Sequence, residues 1–166
     1  MKISLDMLQK EGFLPQQLLL YSKLNLHNVD LDNKEIEIYD FNHIEYLKLL
    51  AEKFKLTMNI KYSDLNEDDM FFKYENGLLT YYENGQEYYE TYTYINRLLV
   101  ERADSEGCKI YYKYNEHNLL TVQETNNKNS LECILFIYDD DNILVNVIKQ
   151  NDLFHKLTLL HEIKDI

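Results

Sequence analysis

Histidine and cysteine are the side chains of this sequence that could do acid–base, nucleophilic or metal chemistry, and they are few. His155 and His161 are six residues apart, so on a strand they would share a face. With neighbouring acids they define one hypothesis, a small enzyme or metal-binding protein. Cys108 and His117 could form a nucleophile–base pair, although only their residue types suggest it. The remaining members of the set are His27, His43 and Cys133.

Three consecutive carboxylates, Asp139 to Asp141, could in principle hold a divalent cation. They lie between two apolar runs, where acidic residues are ordinary turn residues. The sequence contains no GxSxG, Walker-type or GxGxxG stretch, and its four glycines leave little material for phosphate-binding loops. We therefore expect no metal and no cofactor, and a protein that is not an enzyme.

An acidic, tyrosine-rich belt extends from Asp64 to Tyr94. Within it, the stretch YYENGQEYYETYTY holds six tyrosines and three glutamates without a lysine or arginine. Tyrosine is enriched at protein interfaces, and carboxylates attract a basic partner. The alternative is a solvated sheet edge that charge protects against aggregation. The residues predicted to bind a partner are Asp68, Asp69, Glu83, Glu87, Tyr88, Glu90 and Tyr92.

The charge of the whole chain points to the same kind of partner. The formal net charge is −12, and residues 61–166 hold 20 acidic against 10 basic side chains. Such a surface repels phosphate backbones, so direct nucleic-acid binding is disfavoured. A basic protein is the natural complement, and carboxylates among tyrosines can imitate the surface of a nucleic acid.

The first part of the chain is predicted to mix helices and strands. Ser4 is expected to cap a helix that runs through Lys10, and Pro15 to begin a second helix. The stretches KEIEIYDF and LTMNIKY read as strands on either side of a helix from Asn42, with Glu45 completing a capping box. The pattern indicates a βαβ-like part, with residues 1–62 as an α/β head that packs on a sheet.

The second part, residues 63–166, contains a repeat in which an aromatic residue, a spacer and a tyrosine precede a polar turn and an aliphatic pair. Each repeat is predicted to form one β-hairpin, because Asn, Gly and Asp at the turns tolerate positive φ. The tyrosines are spaced by 20, 20 and 24 residues. The three repeated columns are Phe72, Tyr92, Tyr112 and Phe136; Tyr74, Tyr94, Tyr114 and Tyr138; and Leu79, Leu99, Leu120 and Leu144.

The expected fold is therefore α+β, with N-terminal helices followed by an antiparallel meander of about nine strands that ends in LFHKLTLLHEI. The two aromatic columns should line one face of the sheet, with the rings buried and the hydroxyl groups solvated. The strands LECILFIY and NILVNVI are apolar on both faces, so we expect the helices of the first part to cover them. The two parts could also form one continuous domain.

The stretch YTYINRLLVERADSEGCKIYYKYNEHNLLTV resembles the tyrosine–aspartate (YD) repeats of Rhs-type proteins, and YYENGQ is similar to MORN-variant hairpins. The resemblance covers roughly residues 69–150. The aspartate that follows the tyrosine in YD repeats is present only as Asp139, and Glu75, Ile95 and Asn115 stand at the other three places. The resemblance implies a sheet of repeated hairpins and no activity.

Together these observations predict a cytoplasmic, non-enzymatic binding protein that inhibits a basic, nucleic-acid-handling protein by occlusion. Immunity proteins and anti-defence inhibitors are of this physical type. No apolar run reaches the length that crosses a bilayer, and the N-terminus has no signal-peptide pattern. Besides the His155/His161 hypothesis, a third alternative is a structural domain that self-associates through the edge of its meander.

Overall fold

The fold is α+β, as the sequence predicts. The computed structural model describes residues 1–27, 29–63 and 69–150. Within these residues, three helices and ten strands follow one another, and the strands form a mostly antiparallel meander where about nine were expected. Predictions for Asp64, Glu67, Asp68, His155, His161 and the strand LFHKLTLLHEI lie outside the described residues.

The chain divides into two compact units, Met1–Glu87 and a second that begins at Tyr88. The domain boundaries predicted from the sequence, 1–62 and 63–166, stay a prediction, because compactness alone does not establish independent folding. The first unit consists of α1 (Leu5–Lys10), α2 (Pro15–Lys23), β1 (Lys34–Ile38), α3 (Asn42–Phe54), β2 (Met58–Tyr62), β3 (Met70–Glu75) and β4 (Leu78–Asn84).

The helix starts follow local capping chemistry, with one correction. Ser4 accepts a hydrogen bond from the Met7 N–H at 3.2 Å, as expected for the cap of α1. The predicted capping box at Asn42 is wrong, because Asn42 already lies inside the first turn of α3. The carboxylate of Asp40 accepts the Asn42 N–H at 3.0 Å and takes that role instead.

The predicted βαβ part forms the core of the first unit. Strands β1 and β2 are parallel and α3 connects them, while β2, β3 and β4 are antiparallel neighbours. The apolar stripe of α3 is buried, as its helical spacing predicts. The main contributors to this core are Ile38, Ile44, Leu47, Leu50, Ala51, Met58, Ile60, Phe72 and Tyr74.

The turn of the β3–β4 hairpin lies against the C-terminal end of α3. Gly77 donates its N–H to the Leu56 carbonyl at 2.9 Å, and Asn76 donates its N–H to Thr57 Oγ1 at 3.2 Å. A Cβ at Gly77 would lie 2.8 Å from the Cα of Lys55, and the φ of Gly77 is +73°. Both the close approach and the backbone conformation therefore require glycine here.

The second unit is an antiparallel meander over its described residues. Each of its strands pairs with the next one in the chain. They are β5 (Tyr89–Ile95), β6 (Leu98–Asp104), β7 (Lys109–Tyr114), β8 (Leu120–Asn127), β9 (Ser130–Tyr138) and β10 (Leu144–Gln150).

The strand register confirms that the repeat is a structural unit. In every repeat, the tyrosine of the second column lies opposite the leucine of the third column, and the ladder shifts next to that pair. Such a recurrent bulge increases local twist in the same way in each hairpin. The four pairs are Tyr74–Leu79, Tyr94–Leu99, Tyr114–Leu120 and Tyr138–Leu144.

The expected burial of the last hairpin is wrong for its strand β10. Leu144, Val145 and Val147 of β10 are exposed, and Ile143 before them is 60% exposed. The doubly apolar pattern of β10 therefore does not reflect burial among the described residues.

Candidate functional site

One face of the second unit's sheet gathers the aromatic columns of the repeat. Tyr92 lies opposite Arg102, Arg102 opposite Ile110, and Tyr112 follows Ile110 by two positions. Because cross-strand partners and positions two apart share a face, the columns line one side of the sheet as predicted. We call this surface the tyrosine face; its aromatic residues are Tyr92, Tyr94, Tyr112, Tyr114, Phe136 and Tyr138.

The same columns have different environments in the two units. In the first repeat, Phe72 and Tyr74 are buried in the core that α3 helps to form. On the tyrosine face, the equivalent rings are only partly buried. Among the described residues of the second unit, only Glu90 and Leu135 are buried. A sheet normally packs one face against another layer, so this face has the composition of a covered surface but is only partly buried.

Two tyrosines of the column link successive repeats through their hydroxyl groups. Tyr114 donates its O–H to the Leu99 carbonyl at 2.8 Å, and Tyr138 donates its O–H to the Leu120 carbonyl at 2.9 Å. The expectation that these hydroxyl groups stay solvated is wrong for this pair, because each reaches the backbone of the preceding hairpin. These bonds hold the rings in fixed positions on the face.

A hydrogen-bonded cluster surrounds the carboxylate of Glu90, which is only 8% exposed. Tyr88 donates to Oε1 at 2.6 Å, and Tyr92 donates to Oε2. Arg102 binds both carboxylate oxygens, through Nε at 2.9 Å and through Nη2. The acid and its donors face one another because Tyr92 lies opposite Arg102 in the β5–β6 register. The fork geometry of the guanidinium suits such two-point binding.

The protonation states of this cluster follow from its contacts. Burial alone would raise the pKa of Glu90, but hydrogen bonds from Arg102, Tyr88 and Tyr92 lower it to about 2. The hydrogen bond to the carboxylate raises the pKa of Tyr88 to about 12. Burial, and then Glu90, raise the pKa of Tyr92. At neutral pH the cluster is therefore an ion pair with two neutral phenols.

The structure brings together only part of the predicted partner-binding set. Tyr88, Glu90 and Tyr92 form one cluster in the second unit, Asp69, Glu83 and Glu87 belong to the first, and Asp68 lies outside the described residues. Asp69 pairs with Lys61 at 3.2 Å, and Glu83 accepts the Tyr81 hydroxyl at 2.6 Å. Glu87 is exposed and has a φ of 62°. The assignment of these residues to a partner stays a prediction.

Arg102 is a central residue that the sequence interpretation missed. It lies twelve positions after Glu90, and only the hairpin register with its bulge brings the two side chains together. The sequence contains one indication of this role. An arginine that shares a sheet face with aromatic and acidic residues is expected to form an ion pair with a carboxylate.

Acidic loops border one end of the second unit's sheet. In the loop after β9, Asp139 accepts the N–H groups of Asp141 and Ile143 at 3.0 and 2.8 Å. The loop after β7 repeats this geometry with Asn115 as the acceptor. A residue with positive φ, Asn118 or Asn142, closes each loop. Asp139 therefore shapes its turn, while Asp140, Asp141 and Glu116 are exposed.

The residues with other possible chemistry do not form a site in the described chain. Cys108 and His117 lie at opposite ends of β7, roughly 20 Å apart at the rise of an extended strand. Burial raises the pKa of the Cys108 thiol, which disfavours its nucleophilic form. No group of three or more metal-binding side chains occurs among the residues that the structure describes.

The first unit has a separate groove with a volume of about 750 Å³ between α2 and α3. Its lining combines apolar residues such as Leu20 and Leu49 with the charged Lys48 and Glu52. Tyr46 also lines it, and its buried hydroxyl has no hydrogen-bond partner in the described chain.

No protein-family model matches the chain, and no curated protein is significantly similar to it. Among the described residues, no helix has both the length and the apolar character that a bilayer span requires. The resemblance to YD and MORN-variant repeats therefore stays a resemblance.

Proposed function

We propose that this chain is a non-enzymatic binding protein that covers the nucleic-acid-binding surface of a basic partner protein. The observation that supports it is the tyrosine face, where columns that are buried in the first repeat stay partly exposed in the next three. A partner would supply the missing layer. Immunity proteins and anti-defence inhibitors are the functional class, and a cytoplasmic location is part of the proposal.

The anatomy of this surface fits a protein interface with an aromatic centre and a charged rim. The centre is almost neutral, because Arg102 balances Glu90 and Lys149 pairs with Glu132 at 2.9 Å. Negative charge lies in the loops at the end of the sheet, on Glu116, Asp140 and Asp141. Aromatic rings contribute contact energy after desolvation, and rim charges accelerate the encounter with a cationic surface.

The carboxylate of Glu90 has a supporting part in this proposal. Its lone pairs are occupied by Tyr88, Tyr92 and Arg102, so it orients the two rings and gives little charge to a partner. The predicted set is thereby divided by role: Tyr88 and Tyr92 would contact the partner, and the exposed acids, including Glu87, would attract it.

The test begins with capture of the partner from source cells and its identification. Purified partner is then mixed with the full chain in stopped-flow experiments over a range of ionic strength. We expect the association rate to fall steeply with salt, because exposed charges steer the encounter. We also expect a DNA or RNA duplex to compete for the partner.

Two variants distinguish the contribution of the aromatic centre to partner binding from that of the charged rim. Tyr112→Ala removes a ring of the tyrosine face and should raise the dissociation rate by roughly tenfold or more. Asp140→Lys with Asp141→Lys should lower the association rate. Tyr111→Ala, on the opposite face of the same strand, is the matched control. A salt-independent rate together with equal effects of the Tyr111 and Tyr112 substitutions would contradict the proposal.

A further inference from the structure

The last described strand, β10, is an apolar edge. Leu144, Val145 and Val147 are 48%, 58% and 49% exposed, and Ile137 on the neighbouring β9 is also exposed. One edge of β10 pairs with β9, and no described strand pairs with the other. A strand of this kind presents unpaired N–H and C=O groups beside apolar side chains.

β10 also has little of the usual protection of a free edge. Its only charged residue is Lys149, which is engaged with Glu132 of β9. The single register shift lies between Leu144 and Asn146, so the ladder from Asn146 to Gln150 is regular. Proline and a central bulge, two of the devices that block edge pairing, are absent from this strand over its described length, and Lys149 is its one charge.

We propose that β10 pairs with β10 of a second copy in an antiparallel, two-fold arrangement that continues the sheet across the dimer. A two-fold axis through Val147 places that residue opposite its own equivalent, with Leu144 opposite Gln150. The unpaired backbone groups then bond across the interface, and the exposed valines pack against each other.

The charge distribution favours the antiparallel orientation of the two copies over the parallel one. Asp139 to Asp141 precede β10 in its connecting loop. Antiparallel pairing about Val147 separates the two acidic loops by roughly 40 Å, far beyond the screening length of salt solution. It also moves Lys149 toward the acidic loop of the second copy. A parallel pair would place the two acidic loops side by side and is disfavoured by repulsion.

Residues 151–166 follow β10 and lie outside the described residues, and the sequence predicts a strand within them. A strand from the same chain on this edge would exclude the second copy. The experiment is therefore designed to distinguish pairing between copies from pairing within one chain.

The test is disulfide trapping in the full chain with Cys108→Ser and Cys133→Ser. In that background, Val147→Cys should form a disulfide-linked dimer on mild oxidation, because directly opposed residues lie within bonding distance. The matched control is Ile95→Cys at a side chain that is 60% exposed on β5. In parallel, sedimentation of the unmodified chain should show a concentration-dependent dimer that Val147→Lys abolishes.

Two results would overturn the proposal. One is a chain that sediments as a monomer at every concentration. The other is cross-linking of the Val147→Cys protein that does not exceed that of the Ile95→Cys control. Circular dichroism of each variant establishes that a lost dimer is not a lost fold.

Discussion

Glu90 shows what a carboxylate needs in order to be buried on an otherwise open sheet. Desolvation of an unpaired acid would cost several kcal/mol. Here Arg102 supplies the opposite charge and two phenols fill the remaining acceptor positions. A buried cluster of this kind need not add to the net stability of the fold. Removal of one member, however, leaves the others without hydrogen-bond partners.

The first prediction at this scale concerns Arg102. Replacement by methionine leaves the buried carboxylate without its cation, so we expect the free energy of unfolding to fall by about 3 kcal/mol. The measurement is urea unfolding followed by circular dichroism. Lys109→Met, on an exposed side chain of β7, is the control and should change stability by less than about 0.5 kcal/mol. The double variant Glu90→Leu/Arg102→Met should lose less than Arg102→Met alone; a larger loss would contradict the assigned dependence.

The second prediction concerns the pH dependence of stability. The pKa of Glu90 is lowered from 4.5 to about 2 in the folded chain. The ionised form therefore stabilises the fold above the unfolded pKa, and this contribution disappears as the pH falls from about 4.5 to about 2. Linkage gives a loss of roughly 3 kcal/mol over that window.

Because other carboxylates also titrate in this range, the informative quantity is a difference. The gap in unfolding free energy between the unmodified chain and Glu90→Gln should be constant at neutral pH and should narrow below about pH 4.5. A gap that does not depend on pH would show that Glu90 is not held ionised by its neighbours.

At the scale of elements, the repeated spacing of aromatic and leucine residues was sufficient to predict the hairpins and the shared face of their aromatic columns. The tyrosine–leucine pairs recur because turn type and bulge recur with the sequence. The Glu90–Arg102 pair was missed although an arginine among acidic and aromatic residues suggested a carboxylate partner, because the choice of that partner depends on a register shift within β5–β6. The Tyr114 and Tyr138 hydroxyl bonds were missed because their acceptors are backbone carbonyls, which have no sequence signature.

The same limitation applies to β10. Residues apolar on both faces usually indicate a covered strand, and that rule predicted helices over the last hairpin. The pattern itself does not distinguish coverage by the same chain from coverage by another. For this reason the exposed edge became visible only in three dimensions.

The third prediction concerns the turn that docks on α3. Gly77→Ala introduces a Cβ 2.8 Å from backbone and a strained positive φ, so we expect a loss of about 2–3 kcal/mol. Gly12→Ala is a close control, since its φ is +83° but no atom lies within 4 Å of the new Cβ. Its cost should be limited to backbone strain, about 1 kcal/mol. Chemical denaturation of both variants measures the difference, and equal losses would show that the contact with α3 is unimportant.

At the scale of the whole molecule, the two units differ in how they are stabilised. The first has helices, a βαβ core and many fully buried side chains. The described part of the second relies on strand pairing, cross-strand rings and one buried ion pair, with Leu135 as its only buried apolar side chain. Few buried apolar contacts permit local opening at low free energy.

Hydrogen exchange should therefore show two classes of backbone amides that differ in their exchange rate. Backbone amides of α3, β2 and β3 should exchange slowest, and those of β6 to β8 considerably faster, because opening the second unit exposes little additional apolar surface. Mass spectrometry of peptides after timed labelling resolves these segments. Addition of a partner that covers the tyrosine face should slow exchange in β5 to β9 much more than in α1 or α2. If the free chain protects both units equally, the second unit already possesses the layer that the proposed partner is meant to supply.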